Sequence, residues 1–249
     1  MKAIVLISGG LDSTLAAKIT QSLGLELVAL NTLSPFCLCN RKDKFGSCYH
    51  EAGRVSKDLG IRLLIVNTSC EFLEIVKNPK HGYGSNMNPC IDCRILLFKK
   101  AKEAMREEGA SFIITGEVVG QRPMSQKLHI MKLIEKESGL EGLVVRPLSA
   151  RVLEPSIPEK HGWINRDKLL AINGRGRKEQ FSLARELGIN DYPCPSGGCL
   201  LTDPIFSRRL KDLMLYGELS LAEAQLLKIG RHFRLSPAAK LIVGRDEPE

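Results

Sequence analysis

The sequence predicts an α/β fold: a doubly wound parallel sheet with a small helical C-terminal appendage. Three observations predict it. Short continuous apolar runs such as Ala3 to Ile7 are bounded by glycine or polar residues, as strands buried on both faces are. Segments with helical spacing alternate with those runs. The first run passes into a helix through the pair Gly9-Gly10, where the missing side chains allow a tight strand-to-helix turn.

The elements follow in order. After the strand at Ala3 to Ile7, Leu15, Ala16, Ile19 and Leu23 mark one face of a helix from Ser13 to Leu23. Leu25 to Leu30 reads as a second strand, Glu51 to Leu59 as a helix and Arg62 to Val66 as a third strand. Ile95 to Glu108 reads as a charged amphipathic helix closed by Gly109, and Ser111 to Thr115 as a fourth strand. Thr32 to His50 and Glu71 to Pro89 read as long loops, which in compact domains are commonly functional. An irregular stretch carries Pro155 and Pro158, and a helix follows near Lys178 to Leu187. Ser207 to Ile229 reads as helical, and Arg231 to Val243 as a short hairpin. These readings divide the chain into a catalytic domain over residues 1–205 and a small region over 206–249. The natural chain is expected to continue past Glu249.

The 249 residues include enough apolar side chains for a sizeable core. A net charge of +8 suits a polyanionic partner such as RNA. The sequence contains no run of about 18 apolar residues, so a membrane span is not expected. The apolar start runs directly into the glycine turn without a cleavage pattern, so a cytoplasmic location is expected. In that reducing compartment the eight cysteines read as metal-binding or catalytic rather than disulfide-bonded.

The sharpest local signal is Ser8-Gly9-Gly10-Leu11-Asp12-Ser13-Thr14. A helix N-terminus presents unpaired N–H groups and a partial positive charge, so this position suits phosphate. Ser8, Ser13 and Thr14 add hydroxyls. Asp12 repels phosphate directly, but it can orient the loop or bind a Mg²⁺ that bridges phosphates. Asn31, where the second strand ends, lies where the carboxyl ends of an open sheet receive a nucleotide base.

Asn88-Pro89-Cys90-Ile91-Asp92-Cys93 is a C-x-x-C segment that can hold a metal or carry redox chemistry. Cys199 stands far downstream in Ser196-Gly197-Gly198-Cys199, and Cys194 lies just before it between prolines. Cys37, Cys39 and Cys48, with His50, form a second group able to make a small Zn²⁺ site. Cys70 reads as a buried small hydrophobe.

These motifs together resemble a known group. The loop is similar to that of the PP-loop ATP pyrophosphatases, whose fold is of the adenine nucleotide alpha hydrolase type. The Pro-Cys-x-x-Cys segment and Gly-Gly-Cys199 look like the cysteine motifs of bacterial tRNA 2-thiouridylases. Thr115-Gly116-Glu117-Val118-Val119-Gly120-Gln121-Arg122-Pro123-Met124-Ser125-Gln126 resembles a signature segment of tRNA 4-thiouridine synthases. The resemblance covers roughly residues 1–205. Residues 1–249 show neither the RNA-binding region that precedes the loop in 4-thiouridine synthases nor the C-terminal barrel of 2-thiouridylases.

The resemblance implies ATP-dependent thiolation of a tRNA uridine, with a sulfide or persulfide-carrying protein as sulfur donor. It implies ATP and Mg²⁺ at Ser8, Gly9, Gly10, Asp12, Ser13 and Thr14, with Thr115, Gly116 and Gln121 lining the nucleotide pocket. It implies Asp12, Cys93 and Cys199 as catalytic residues. It also implies a [4Fe–4S] cluster held by Cys90, Cys93 and Cys199, in preference to a cysteine persulfide. Arg122, Lys127, Arg146, Arg151, Lys160, Arg166, Arg175, Arg177, Lys178, Arg208 and Arg209 are basic candidates for tRNA phosphates, with 175–178 the best placed. A PP-loop ligase acting on a small carboxylate, and an ATP-binding sulfur carrier without turnover, are the competing readings. The sequence leaves the oligomeric state open, a homodimer included.

Overall fold

The computed structural model describes residues 1–37, 48–190, 192 and 199–246, with the side chains of residues 48 and 49 left aside. The N-terminal apolar run forms β1 (Lys2–Leu6). It passes through the glycine turn into α1 (Leu11–Ser22). Then come β2 (Glu26–Leu33), α2 (Cys48–Asp58), β3 (Arg62–Asn67) and α3 (Ser69–Lys77). The longest helix described, α4 (Cys90–Glu107), leads to β4 (Phe112–Thr115). After α5 (Leu128–Ser138) and the short β5 (Val144–Val145), a single-turn α6 (Ile157–Lys160) precedes α7 (Lys178–Glu186). The chain continues through α8 (Pro204–Tyr216), α9 (Leu221–Leu226), β6 (Arg231–Ser236) and β7 (Ala239–Val243).

The first five strands make one parallel sheet in the order β3-β2-β1-β4-β5. Leu6 pairs with Leu30 on one side and Thr115 on the other, so the carboxyl ends of β1 and β4 lie side by side. That is the point where strand order reverses, and ligands of open α/β sheets settle there. Alternate side chains of β1 serve opposite faces. Ala3 and Val5 pack with Leu11, Leu15 and Ile19 of α1. Ile4 and Leu6 pack with Ile91, Ile95 and Phe98 of α4. The doubly wound sheet expected from the sequence is therefore present.

A third apolar cluster joins distant segments. Phe72, Leu73 and Val76 of α3 meet Phe36, Leu200, Leu201, Phe206, Leu210 and Leu213. The Phe36 ring stands edge-on to Phe72 at 5.8 Å and to Phe206 at 6.0 Å. This cluster fixes the approach of residues 199–202 to the start of α4, and Met87 N–H donates to Leu201 O at 3.1 Å. The C-terminal hairpin β6–β7 is antiparallel. Arg234 ties it to α8 with bonds of 3.0 and 2.8 Å to Asp212, and its guanidinium lies 4.8 Å from the Tyr216 ring centroid. No helix among the described residues is long and apolar enough to cross a membrane.

Several local expectations are corrected. The segment from Glu71 is no loop at its start: α3 forms because Phe72, Leu73 and Val76 share a helical face that the third cluster buries. Helix α4 begins at Cys90, not at Ile95, so the C-x-x-C lies in its first turn. The tail is two helices broken at Gly217, not one run. Cys70, expected to be buried, is exposed, since it lies on the outer side of α3's first turn.

Candidate functional site

The phosphate-type loop is held by its own hydroxyls. Ser13 Oγ donates to Gly10 O at 2.8 Å and accepts from Ser8 N–H at 3.3 Å. Thr14 Oγ1 donates to Gly10 O at 3.1 Å. The first-turn amides of Leu11, Asp12 and Ser13 precede α1's own bonding ladder and are available to an anion. Gly9 has φ +77°, and a Cβ there would lie 2.4 Å from Glu51 Cβ in α2. The loop is thus pressed between α1 and α2.

The segment after β4 closes over it. A Cβ at Gly116 would lie 2.5 Å from Asp12 C and O and from Ser13 N. Only glycine lets the two backbones approach this closely. Gln121 Nε2 donates to Asp12 Oδ2 at 3.0 Å, and Arg177 Nη2 reaches the same oxygen at 3.5 Å. The other carboxylate oxygen, Asp12 Oδ1, is buried without a hydrogen-bond partner, as is Gln121 Oε1. A carboxylate oxygen left in that state suits a hard cation with oxygen ligands, so Asp12 fits Mg²⁺.

Thr115 and Asn31 serve the scaffold. Thr115 is buried, and its hydroxyl accepts from Glu117 N–H at 2.9 Å. Asn31 Nδ2 donates to Ile7 O at 2.7 Å, which pins β2 to the end of β1, while its Oδ1 has no partner. That oxygen is the part of Asn31 left to meet a ligand.

Behind Gly116 runs a buried ion-pair chain. Glu117 is 1% exposed. Its carboxylate lies 3.0 Å from Arg94 Nη2 and 3.0 Å from Arg146 Nε. Arg146 also pairs with Glu135. Burial raises the Glu117 pKa, but the charges of Arg94 and Arg146 outweigh it and leave the carboxyl below its ordinary value. Arg146, expected among the RNA contacts, is 5% exposed and committed to these carboxylates. Arg166 likewise pairs with Glu159, and Arg209 donates to Leu227 O and Gly230 O.

The thiols lie on the same side of the sheet's carboxyl edge. Cys90 and Cys93 are one turn apart in α4, and Asn88 Nδ2 lies 3.1 Å from Cys90 Sγ. Burial pushes the Cys93 thiol up to about 11, with the Cys90 charge adding to it and Arg94 and Arg122 opposing it. Burial likewise pushes Cys199 up to about 12, and Cys93, Cys90 and Cys37 are within charge range of it. Burial and the charge of Arg94 push the Arg122 pKa down, and the charges of Cys90, Asp12 and Glu117 oppose them. Cys93 and Cys199 both pack against the third apolar cluster, with Cys90 one turn from Cys93.

Of the three cysteines expected to hold Zn²⁺, Cys37 alone has its side chain among the described residues. It forms an antiparallel bridge with Cys199. Cys39 and Cys194 lie outside the described residues, as does the side chain of Cys48. Among the described residues no group of three or more His, Cys, Asp or Glu side chains is placed to hold a metal ion.

A profile of the thiamine biosynthesis protein (ThiI) family matches residues 1–152. The chain belongs to the ThiI family. This bears out the resemblance read from the motifs. The chain is 30% identical over 122 residues to the tRNA-specific 2-thiouridylase MnmA of Pelobacter propionicus, covering 47% of this chain and 33% of that protein. It is 25% identical over 209 residues to a probable tRNA sulfurtransferase of Methanosarcina mazei, covering 82% of this chain and 42% of that protein. The chain thus spans less than half the length of these relatives. A crystal structure of a 4-thiouridine synthetase–RNA complex with bound ATP shares the fold, with TM-score 0.50, 21% identity, and 91% of this chain and 52% of that chain covered.

Within this ThiI-family chain, four features escaped the sequence reading: Arg94, the scaffold role of Glu117, the Arg177–Asp12 contact and His81. The ring nitrogens of His81 face Asp92 Oδ1 at 2.9 Å and Glu137 Oε1 at 3.1 Å, and its N–H donates to Asp92 Oδ2 at 3.0 Å. Asp92, one of the two residues between the C-x-x-C cysteines, thereby fastens residues 78–89 to α4. The one sequence signal for this was a histidine in a Gly/Asn/Pro-rich stretch.

Proposed function

We propose that this chain catalyses ATP-dependent thiolation of a tRNA uridine. The observation that carries the reading is an anion-binding loop packed against Gly116 in a chain whose helix α4 opens with Cys90 and Cys93, with Cys93 and Cys199 packed against the same apolar cluster. A ligase for small carboxylates has no use for the three neighbouring thiols.

In this reading the ATP phosphates rest on the first-turn amides of α1. The uridine carbonyl oxygen attacks the α-phosphorus, and pyrophosphate leaves. A sulfur nucleophile then attacks the activated carbon, and AMP leaves. The loop amides stabilise the charge that builds on the α-phosphate. Gln121 and Arg177 orient Asp12, which would hold Mg²⁺; that ion would neutralise phosphate charge. Cys93 and Cys199 are placed to take the outer sulfur of a persulfide-carrying donor, whose own sulfur leaves as a thiolate; free sulfide would instead attack the activated carbon directly. An iron–sulfur cluster on Cys90, Cys93 and Cys199 rests on donor type alone, thiolates being its ordinary ligands, because among the described residues no three such side chains are placed to hold a metal ion. Zn²⁺ at Cys37, Cys39 and Cys48 would involve two side chains that lie outside the described residues. Arg175 and Lys178 flank the Arg177 contact, so RNA phosphates bound there lie next to the reacting centre.

Asp12→Asn removes the anionic oxygens while preserving size. With ATP, Mg²⁺ and tRNA, pyrophosphate release is expected to fall at least about 100-fold, on the scale of losing a main electrostatic contributor. The wild type is expected to yield thiolated nucleosides, read by mass spectrometry of digested tRNA. Pyrophosphate release that does not depend on RNA would favour the ligase reading.

A further inference from the structure

We infer that the outer face of the β6–β7 hairpin is a docking surface for RNA, with Phe233 stacking an unpaired base and Arg231 taking a phosphate beside it. The inference deepens the thiolation reading and rests on it for the choice of a tRNA as ligand. Strand residues two apart share a face, and the register sets Phe233 opposite Leu241 and Arg231 opposite Val243. One face of the hairpin therefore carries Arg231, Phe233, Leu241 and Val243, all of them exposed. Phe233 is 47% exposed, and it is the one exposed phenylalanine among the described residues. The opposite face is already used: Arg234 and Lys240 pair with Asp212 of α8, and a His232 ring nitrogen lies 2.9 Å from Ile229 O. The hairpin is thus fixed from one side, and its apolar side is turned outward.

Charge selects the occupant. Residues 224–245 hold Lys228, Arg231, Arg234, Lys240 and Arg245 and no aspartate or glutamate; the nearest in sequence are Glu223 and Asp246. Arg209 of α8 adds a cation at the hairpin's open end, donating to Leu227 O and Gly230 O, and Arg245 donates there to Lys228 O. A second copy of the chain docked on this face would set these cations against themselves, because a two-fold contact uses one patch twice. A polyanion gains from the same cations, and an exposed aromatic ring among cations has the form of a stacking platform for unpaired bases. Same-face neighbours on a strand are about 7 Å apart, so Arg231 is placed for a phosphate next to the base on Phe233. Leu210, Leu213 and Leu227 belong to the apolar cluster against which Cys199 packs, so RNA held on the hairpin is anchored to the body that carries Cys199.

The test titrates the full chain, without ATP, into a fluorescein-labelled, unmodified tRNA transcript and reads anisotropy at several KCl concentrations. The wild type is expected to bind. Phe233→Leu keeps the apolar bulk and removes the ring, and it is expected to weaken binding about 10-fold with the salt slope unchanged. Phe233→Trp is expected to retain binding. Arg231→Gln is expected to weaken binding and to lower the slope of log affinity against log salt by about 1. Circular dichroism and ATP binding of the variants should match the wild type, since both positions are exposed. Failure of the wild type to bind, wild-type affinity in Phe233→Leu or Arg231→Gln, or loss of binding in Phe233→Trp would overturn the proposal. So would a dimer in sedimentation that Phe233→Asp dissolves, because a second copy would then cover the face. Binding that follows the expected pattern while pyrophosphate release stays independent of RNA would refute the thiolation reading and leave the docking surface standing. RNA-dependent release together with wild-type binding in the variants would remove the docking surface alone.

Discussion

Glu117→Gln is expected to destabilise the chain by about 3–5 kcal/mol, the cost of removing one partner from a buried charge pair. Two arginines face this carboxylate at 3.0 Å each. The substitution preserves shape and removes only the charge, so it leaves the buried Arg146 and the half-buried Arg94 against a neutral amide. For a chain of this length the midpoint of thermal unfolding should fall by roughly 10 °C. Calorimetry on the two proteins checks it, and a shift within about 1 °C, close to what an ordinary surface change produces, would show that the pair contributes little. The pH dependence supplies a second readout. The folded-state pKa of Glu117 is lowered, so its contribution is fully present above the unfolded value near about 4.3. It is lost as pH falls through the folded value. The gap between wild type and Glu117→Gln should therefore be widest at neutral pH and close in strong acid.

Gly116→Ala is expected to abolish nucleotide turnover. The added methyl would sit 2.5 Å from backbone atoms of Asp12 and Ser13, and neither is the end of a flexible side chain that could swing away. The β4 end or the phosphate loop must shift. Overpacking of this kind costs about 1–3 kcal/mol or more. The folding cost is survivable in a domain of ordinary stability, but the loop must place its amides to a few tenths of an ångström to hold phosphate. Binding of ATP measured by calorimetry, together with pyrophosphate release, should both be lost while the far-ultraviolet circular dichroism stays that of the wild type. Retained ATP affinity would mean that the cap over Asp12 is not part of the nucleotide site. Gly9→Ala serves as a comparison, since its methyl would instead strike α2 at Glu51.

The parts of this molecule that were legible in the sequence are those set by local pattern. The run Ala3 to Ile7, the glycine turn and the apolar stripe of α1 announce themselves within twenty-odd residues, about the span of one strand–turn–helix unit. Helix α3 was hidden because it has only nine residues, and the Gly/Asn/Pro-rich stretch behind it dominated the composition. Cys37 was assigned by its neighbours along the chain, whereas its partner in space arrives from beyond α7. Arg146 was read as an RNA contact and Arg94 was not singled out, because nothing in their own segments reveals a buried carboxylate on β4's far side. Arg177 was read as an RNA contact for its basic neighbours, and only the fold brings it to Asp12.

Helix α4 carries Cys90 and Cys93 in its first turn and Arg94 immediately after them. The arginine grips the carboxylate that follows Gly116, and Gly116 lies on the phosphate loop. The span from sulfur to phosphate is therefore gauged by a rigid strut, not by the long connections around it. Those connections can change, and with them the shape of the substrate admitted, while the working distance stays calibrated. Substrate range can drift over generations in such a design without the reaction being retuned each time.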